Sequence, residues 1–129
     1  MKKKILIVDD HPDALKVMHM QLSMLGDFEV YEAFGGKEAL ALFKKHHPDI
    51  VFVDITMPGL NGYETMKLMR KEERGRGLPI VAWSTLLQDE LGDLKGAGFS
   101  DYLSKFSGGR LSLREMLKKH GLIEEKRIL

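Results

Sequence analysis

Short apolar runs alternate along the chain with segments whose apolar residues recur at helical spacing. Three runs are continuously apolar, at 5–8, 50–53 and 80–83. Two more polar segments, 28–33 and 101–104, also have the character of strands. A helix is predicted after each of the five strands, because apolar residues recur there at helical spacing. Helix by helix, these residues are Leu15, Met18, Leu22 and Leu25; Ala39, Leu40, Leu42 and Phe43; Tyr63, Met66 and Met69; Leu87, Leu91 and Leu94; and Leu113, Met116 and Leu117.

Five strand–helix units in succession predict an α/β fold with a parallel sheet and helices on both faces. The continuously apolar strands belong inside the sheet, because both of their faces are covered. The second and fifth strands are more polar and are predicted as edges. This is the doubly wound (βα)5, flavodoxin-like sandwich with strand order 2-1-3-4-5. The fourth helix is expected to run through Leu87, Leu91 and Leu94 and to end at Gly96 and Gly98.

Composition narrows the class of protein. The 129 residues correspond to one domain, and 43% hydrophobic with 30% charged residues is typical of a soluble globular chain. Twenty basic residues against nineteen acidic ones leave a net charge of +1, which argues against direct nucleic-acid binding. The absence of cysteine excludes disulfides, thiol nucleophiles and cysteine-based metal sites. The sequence has no signal-peptide core and no membrane-spanning run, so a cytoplasmic protein without membrane insertion is expected.

Polar residues follow four of the five strands. In an open parallel sheet, ligands bind beyond the carboxyl ends of the strands, at the switch point between strands one and three. The residues at these ends are Asp9 and Asp10 after strand one, Asp54 after strand three, Ser84 and Thr85 after strand four, and Lys105 after strand five. The sequence therefore predicts that carboxylates, a hydroxyl and an ammonium converge on one small volume.

Three neighbouring carboxylates repel one another and are stable as anions only beside a cation. Carboxylate and carbonyl oxygens suit Mg²⁺, with Mn²⁺ as a substitute. Lys105 would add a second positive charge and Ser84 a hydrogen-bond donor, which together stabilise a phosphoryl group during transfer. A carboxylate can also act as the nucleophile and form an aspartyl-phosphate. Asp54 is the best placed for this role, because it stands alone at the end of the central strand.

Each of these residues also has a simpler interpretation. Asp9 or Asp10 could cap the first helix, and a lone aspartate such as Asp54 often closes a turn. Ser84 or Thr85 could cap the fourth helix. The simultaneous occurrence of these residue types at the ligand-binding edge favours a functional site.

Four stretches carry a resemblance to a known family: 5–12, 48–62, 79–84 and 96–105. In this order they resemble the receiver, or phosphoacceptor, domain of bacterial two-component response regulators in its chemotaxis-type single-domain form. The resemblance covers about residues 3 to 120. It implies a receiver domain over 1–121, with a charged C-terminal extension over 122–129 and no output domain.

The resemblance implies a role for each strand-end residue. Asp54 would be the phosphoacceptor and would receive the phosphoryl group from the phosphohistidine of a partner kinase. Asp9, Asp10 and Asp54 would hold Mg²⁺ together with the backbone carbonyl of Thr56. Lys105 would pair with Asp54 and later with the phosphoryl group.

Further positions would transmit the signal or set its lifetime. Ser84 would bond a phosphoryl oxygen and Tyr102 would rotate inward behind it. That movement would reshape the face made by the fourth helix, fifth strand and fifth helix. Thr56, Thr85 and Leu86 would influence how fast the aspartyl-phosphate hydrolyses.

The implied function is a signalling switch in a two-component phosphorelay. It would catalyse its own phosphorylation and dephosphorylation and turn over no external substrate, so it would not be an enzyme in the usual sense. Its expected partners are a sensor histidine kinase or a histidine phosphotransfer protein and an unidentified downstream protein, and phosphorylation could produce a dimer.

The sequence departs from the family pattern beside the site. Phe106 follows Lys105 where the family usually has proline, so a trans bond is expected there. Thr85 occupies a position where a smaller residue is common, and Trp83 is bulkier than usual and is predicted to pack in the core.

Three alternatives remain open at this point. A scaffolding pseudo-receiver would bind partners without phosphorylation. A phosphatase of the haloacid dehalogenase type would need a second aspartate at the position of Thr56. A flavodoxin-type cofactor binder would need a phosphate loop where Asp9 and Asp10 stand, and these would repel a phosphate.

Overall fold

The structure is a computed structural model that describes residues 1–86, 88–106 and 109–124, the side chains of 109–111 excepted. These residues form five strands and six helices; one helix follows each strand except the fourth, which is followed by two. The strands are β1 (Lys4–Val8), β2 (Glu29–Ala33), β3 (Ile50–Asp54), β4 (Ile80–Ser84) and β5 (Asp101–Ser104). The helices are α1 (Pro12–Leu25), α2 (Gly36–His46), α3 (Gly62–Lys71), α4 (Gln88–Leu91), α5 (Leu94–Ala97) and α6 (Gly109–Lys119), and a 3-10 turn spans Glu73–Gly75.

The five strands form one parallel sheet in the order β2-β1-β3-β4-β5. The predicted doubly wound fold is therefore confirmed, with β2 and β5 at the edges. Val8 pairs with Val53, and Val53 pairs with Ala82. This register brings the carboxyl ends of the three central strands to the same level.

Two hydrophobic cores lie on opposite faces of the sheet. Ile5 and Ile7 pack with residues of α1 and α6, whereas Leu6 and Val8 pack with residues of α2, α3 and α5. Successive side chains of a strand point to opposite faces of the sheet, so residues two positions apart lie on the same face. Asp9 therefore continues the row of Ile5 and Ile7, on the face shared with α1 and α6.

The prediction of a single fourth helix is wrong. The segment forms two four-residue helices, α4 and α5, separated at Gly92, whose φ of 73° lies in the left-handed region. Asp93 begins the second helix, since its side chain accepts a hydrogen bond from the amide of Gly96 at 2.9 Å. The Tyr63 hydroxyl donates to the Leu91 carbonyl at 2.9 Å, and this hydrogen bond joins α3 to the last residue before the break. Leu87 lies outside the described residues.

The turn between β3 and α3 requires glycine at position 62. A Cβ atom there would collide with the carbonyl oxygen of Asp54 and would lie 2.7 Å from the Cα of Ile55. The amide of Gly62 also donates to the Ile55 carbonyl at 3.0 Å. This close approach fixes the backbone immediately after Asp54.

The predicted C-terminal extension, 122–129, is described only as far as Glu124. Leu122 and Ile123 pack against the core between α1 and α6. Residues 125–129 lie outside the described residues. Within the described part of the chain, no helix is both long enough and apolar enough to span a bilayer.

Candidate active site

The acidic residues predicted at the strand ends meet in one cluster. Asp9 follows β1, and Asp54 is the last residue of β3. Ligand atoms of Asp9, Asp10, His11 and Asp54 all lie within 4.8 Å of one another. Asp9 is fully buried and Asp54 is 5% exposed, while His11 is exposed. The cluster therefore combines buried carboxylates with an open side.

Lys105 reaches this cluster from β5. Its ammonium contacts the Asp9 carboxylate and lies 3.3 Å from Oδ2 of Asp54. The Lys105 side chain is only 13% exposed, and its backbone amide donates to the Ser84 carbonyl at 2.9 Å. The ammonium also lies over the ring of Trp83, 4.5 Å from the centroid. All peptide bonds of the described residues are trans, the Lys105–Phe106 bond included.

The two buried carboxylates have opposite pKa shifts. Burial raises the pKa of Asp9, but hydrogen bonds from Lys105 and from the His11 amide outweigh it, so the pKa of Asp9 is lowered. The pKa of Asp54 is raised, first by burial, which the charge of Lys105 only partly offsets, and then by the negative charge of Asp9. The ammonium thus offsets the cost of burying the Asp9 carboxylate more fully than the cost of burying the Asp54 carboxylate.

One buried oxygen of the cluster lacks a hydrogen bond. Oδ1 of Asp10 accepts none from any residue that the structure describes, although His11 Nδ1 lies 3.3 Å away. A buried carboxylate oxygen without a donor carries a desolvation cost that a cation would offset. Three carboxylates at this spacing suit a hard divalent ion, so the residues present fit Mg²⁺.

His11 also belongs to the cluster, although it is exposed and is the N-cap residue of α1. It precedes α1, and its Nδ1 lies 3.0 Å from Oδ1 of Asp9. The hydrogen bond to Asp9 and then the charge of Asp10 raise the pKa of His11. Its position directly after two site aspartates was the only signal in the sequence.

The predicted switch residues meet at the loop after β4. Ser84 is buried, and its Oγ accepts a hydrogen bond from the Leu86 amide at 3.0 Å. The hydroxyl of the half-buried Tyr102 donates to the Leu86 carbonyl at 2.6 Å. The backbone of Leu86 therefore links Ser84 to Tyr102.

The three predicted rate-modulating positions line the open side. Thr56, Thr85 and Leu86 are all exposed. The Thr56 amide donates to Oδ1 of Asp54 at 3.2 Å, which leaves Oδ2 facing Lys105.

Comparison with known proteins identifies the family. The family profile described as Response regulator receiver domain matches residues 5–118. This chain belongs to the response regulator receiver domain family. Receiver domains are components of two-component signalling systems, and the resemblance recognised in the sequence is confirmed.

Relatives agree with this assignment. The probable transcriptional regulator ycf27 of Cyanophora paradoxa is 39% identical over 116 residues, which cover 88% of this chain and 46% of that protein. This receiver domain thus spans about half the length of the curated relatives that it matches.

Solved structures of receiver proteins have the same fold. The chemotaxis response regulator CheY4 of Vibrio cholerae is 28% identical, with a TM-score of 0.84 over 93% of this chain and 99% of that chain. The response regulator protein TrrA of Thermotoga maritima, in complex with Mg(2+)-BeF, is 31% identical, with a TM-score of 0.80 over 92% of this chain and 98% of that chain.

Proposed function

We propose that this receiver domain accepts a phosphoryl group on Asp54, with Mg²⁺ bound, and thereby switches a partner-binding face. The observation that carries the proposal is the arrangement of charge. Asp54 is a buried carboxylate at the end of β3, the Lys105 ammonium stands 3.3 Å from its Oδ2, and Asp10 presents a buried oxygen without a hydrogen bond. A nucleophile, a counter-charge and a cation site therefore lie within one cluster.

The metal would be held by Asp9, Asp10 and Asp54 and by the backbone carbonyl of Thr56. When bound, Mg²⁺ would neutralise the charge of the incoming phosphoryl oxygens. The relative TrrA was solved in complex with Mg(2+)-BeF, which supports the choice of ion. Mn²⁺, which also prefers oxygen ligands, would substitute.

The chain's own residues would perform the transfer. A carboxylate oxygen of Asp54 attacks phosphorus, forming an O–P bond as the N–P bond to the donor histidine breaks. Lys105 transfers its contact from the carboxylates to a phosphoryl oxygen and stabilises the developing charge. The Ser84 hydroxyl, which now accepts from the Leu86 amide, rotates to donate to a second phosphoryl oxygen.

The switch would run through the backbone of Leu86. A movement of Ser84 toward the phosphoryl group would release or shift Leu86, to which the Tyr102 hydroxyl is bonded. Tyr102 would then rotate inward and change the face formed by α4, α5, β5 and α6. We infer that an unidentified downstream protein reads this face, with a second copy of the chain as another candidate.

An apolar rim around the site would receive the phosphodonor. Exposed hydrophobic side chains lie on α1 and on the loops after β2, β4 and β5: Val17, Met20, Phe34, Leu86 and Phe106. Such a rim suits a helix that carries the phosphohistidine, in a sensor kinase or a histidine phosphotransfer protein. Thr56, Thr85 and Leu86 on the same side would set the access of water during autodephosphorylation. No external substrate would be consumed.

The direct test is the intact mass of the protein after incubation with acetyl phosphate, a small donor that needs no kinase. We expect a gain of one phosphoryl group with Mg²⁺, a similar gain with Mn²⁺, and none with excess EDTA. A wild-type protein that binds Mg²⁺ but gains no mass, here and with histidine kinases as donors, would contradict the proposal and favour the pseudo-receiver.

Removing one carboxylate should weaken the metal site. Asp10→Asn is expected to lower the affinity for Mg²⁺ at least about tenfold, because a charged ligand is lost while the shape is kept. Calorimetric titration with MgCl₂ measures this change. Asp27→Asn, at an 84% exposed side chain far from the cluster, is the matched control and should bind as wild type does. Equal affinities of the two variants would place the ion elsewhere.

A further inference from the structure

The contact between Lys105 and Trp83 is not used by the mechanism above. The Lys105 ammonium lies over the indole ring at 4.5 Å from its centroid, while its other side contacts Asp9 and approaches Asp54. The ammonium is thus held between carboxylates and an aromatic face. A cation over an indole is attracted by the negative face of the ring, most strongly where water is excluded.

The sheet places Trp83 at this point. Trp83 pairs in register with Asp54 on one side and with Leu103 on the other. Register partners in a parallel sheet point to the same face, and Lys105 is two residues beyond Leu103. Trp83 is 5% exposed and packs in the core between α1 and α6, so the ring is fixed.

The surroundings leave Lys105 room to move if the ring is lost. A groove of about 280 Å³ borders both residues and is lined on its other side by Ala14, Val17 and Met18 of α1. Phe106, the next residue, is 79% exposed and faces solvent. A lysine stem is flexible, and its ammonium makes no fixed fork of hydrogen bonds. The indole therefore closes the side of the ammonium that the carboxylates leave open.

We propose that Trp83 is a positioning residue that holds the Lys105 ammonium at Asp54 for phosphoryl transfer. The inference rests on the proposed phosphorylation of Asp54. It assigns Trp83 a role beyond the core packing that the sequence suggested. The aromatic face, rather than the bulk of the side chain, is the property that matters.

Two substitutions of Trp83 distinguish the effect of losing the aromatic ring from the effect of losing side-chain volume. Trp83→Phe and Trp83→Leu both introduce a smaller apolar side chain and open space in the core, but only phenylalanine keeps an aromatic face. With acetyl phosphate and Mg²⁺, we expect Trp83→Leu to gain the phosphoryl group about fivefold more slowly than wild type, as the strength of a partly desolvated cation–π contact allows. Trp83→Phe should remain within about twofold of wild type by the same estimate. Urea unfolding followed by circular dichroism confirms that both variants are folded.

A spectroscopic readout tests the contact without any phosphorylation. Trp83 is the single tryptophan of the sequence, so its emission reports directly on the ring. Lys105→Gln should change the intensity and wavelength of that emission, whereas Lys67→Gln, at an exposed position on α3, should leave both unchanged.

The outcomes are distinct. Equal phosphorylation rates of wild type and Trp83→Leu would overturn the inference, as would a Trp83→Phe rate as slow as that of Trp83→Leu. An emission spectrum that Lys105→Gln does not alter would also overturn it. A wild-type protein that gains no phosphoryl group would instead contradict the proposed function, and the emission comparison would still decide whether the contact exists.

Discussion

Asp54→Asn is expected to abolish the phosphoryl gain and, at the same time, to stabilise the fold. The amide cannot form an acyl-phosphate, so the rate with acetyl phosphate and Mg²⁺ should fall at least about a hundredfold, to the background of the mass measurement. Stability should rise by about 1 kcal/mol at pH 7, because a buried carboxylate whose burial the Lys105 charge only partly offsets is removed. Asparagine keeps an oxygen that can accept from the Thr56 amide.

The sign of the stability change follows from the pKa of Asp54. Burial raises this pKa above the ordinary value of 3.8, so the folded state holds the proton more tightly than the unfolded chain does. The wild-type protein therefore loses stability as the pH rises from about 4 through the raised pKa, and the loss persists at neutral pH. Asp54→Asn should lack this loss. Urea unfolding of both proteins between pH 4 and pH 7 measures the difference.

Asp101→Asn is a matched control for which we expect the opposite change in stability. Asp101 lies at the start of β5, and its Oδ2 contacts Lys119 Nζ at 2.5 Å and His120 Nε2 at 3.3 Å. Burial raises its pKa, but the hydrogen bonds from Lys119 and from the Tyr102 amide outweigh burial and lower it. Its contribution to stability is present above about pH 4 and is lost as the pH falls through the lowered pKa. Asp101→Asn should therefore destabilise the protein by about 1 kcal/mol at pH 7. Stability changes of the same sign for the two variants would contradict this account.

Arg70→Ala is expected to be the most destabilising of these substitutions. Nη1 of Arg70 donates to the carbonyl oxygens of Gly75 and Leu78, both at 2.5 Å. Nε and Nη2 donate to the Gly98 carbonyl at 3.0 and 2.9 Å, and Nη2 also donates to Ser100 Oγ at 3.1 Å. The guanidinium thus joins α3 to the segments that lead into β4 and β5. Its removal should cost about 3 kcal/mol, because several partly buried acceptors lose a charged donor.

Two further substitutions test this interpretation of Arg70. Arg70→Lys keeps the positive charge but cannot reproduce the planar fork, so it should recover less than half of the lost stability. Arg74→Ala, at an exposed arginine of the 3-10 turn, should change stability by less than about 0.5 kcal/mol. Urea denaturation followed by Trp83 fluorescence gives all four values. An Arg70→Ala protein within about 1 kcal/mol of wild type would contradict the assigned role.

The break in the predicted fourth helix shows that the spacing of apolar residues alone is not enough to predict where a helix ends. Leu87, Leu91 and Leu94 have helical spacing, and Gly92 was the only sign of a break. The left-handed backbone at Gly92, the cap at Asp93 and the bond from Tyr63 to the Leu91 carbonyl together favour two short helices. A hydrogen bond from a tyrosine 28 residues earlier is not visible in periodicity.

The order of apolar and polar residues was enough to predict the five-stranded fold and most residues of the site, although His11 was not among them. Apolar runs and helical spacing indicate five strand–helix units, and parallel strands bring their carboxyl ends to one edge, so Asp9, Asp54 and Lys105 had to meet there. The tertiary structure alone decided how charge is shared. Lys105 contacts Asp9 across 96 positions of the chain, approaches Asp54 and lies over Trp83. Distances of this kind depend on register, side-chain rotamers and burial, and a small change in them alters how far the Lys105 charge stabilises each of the two carboxylates.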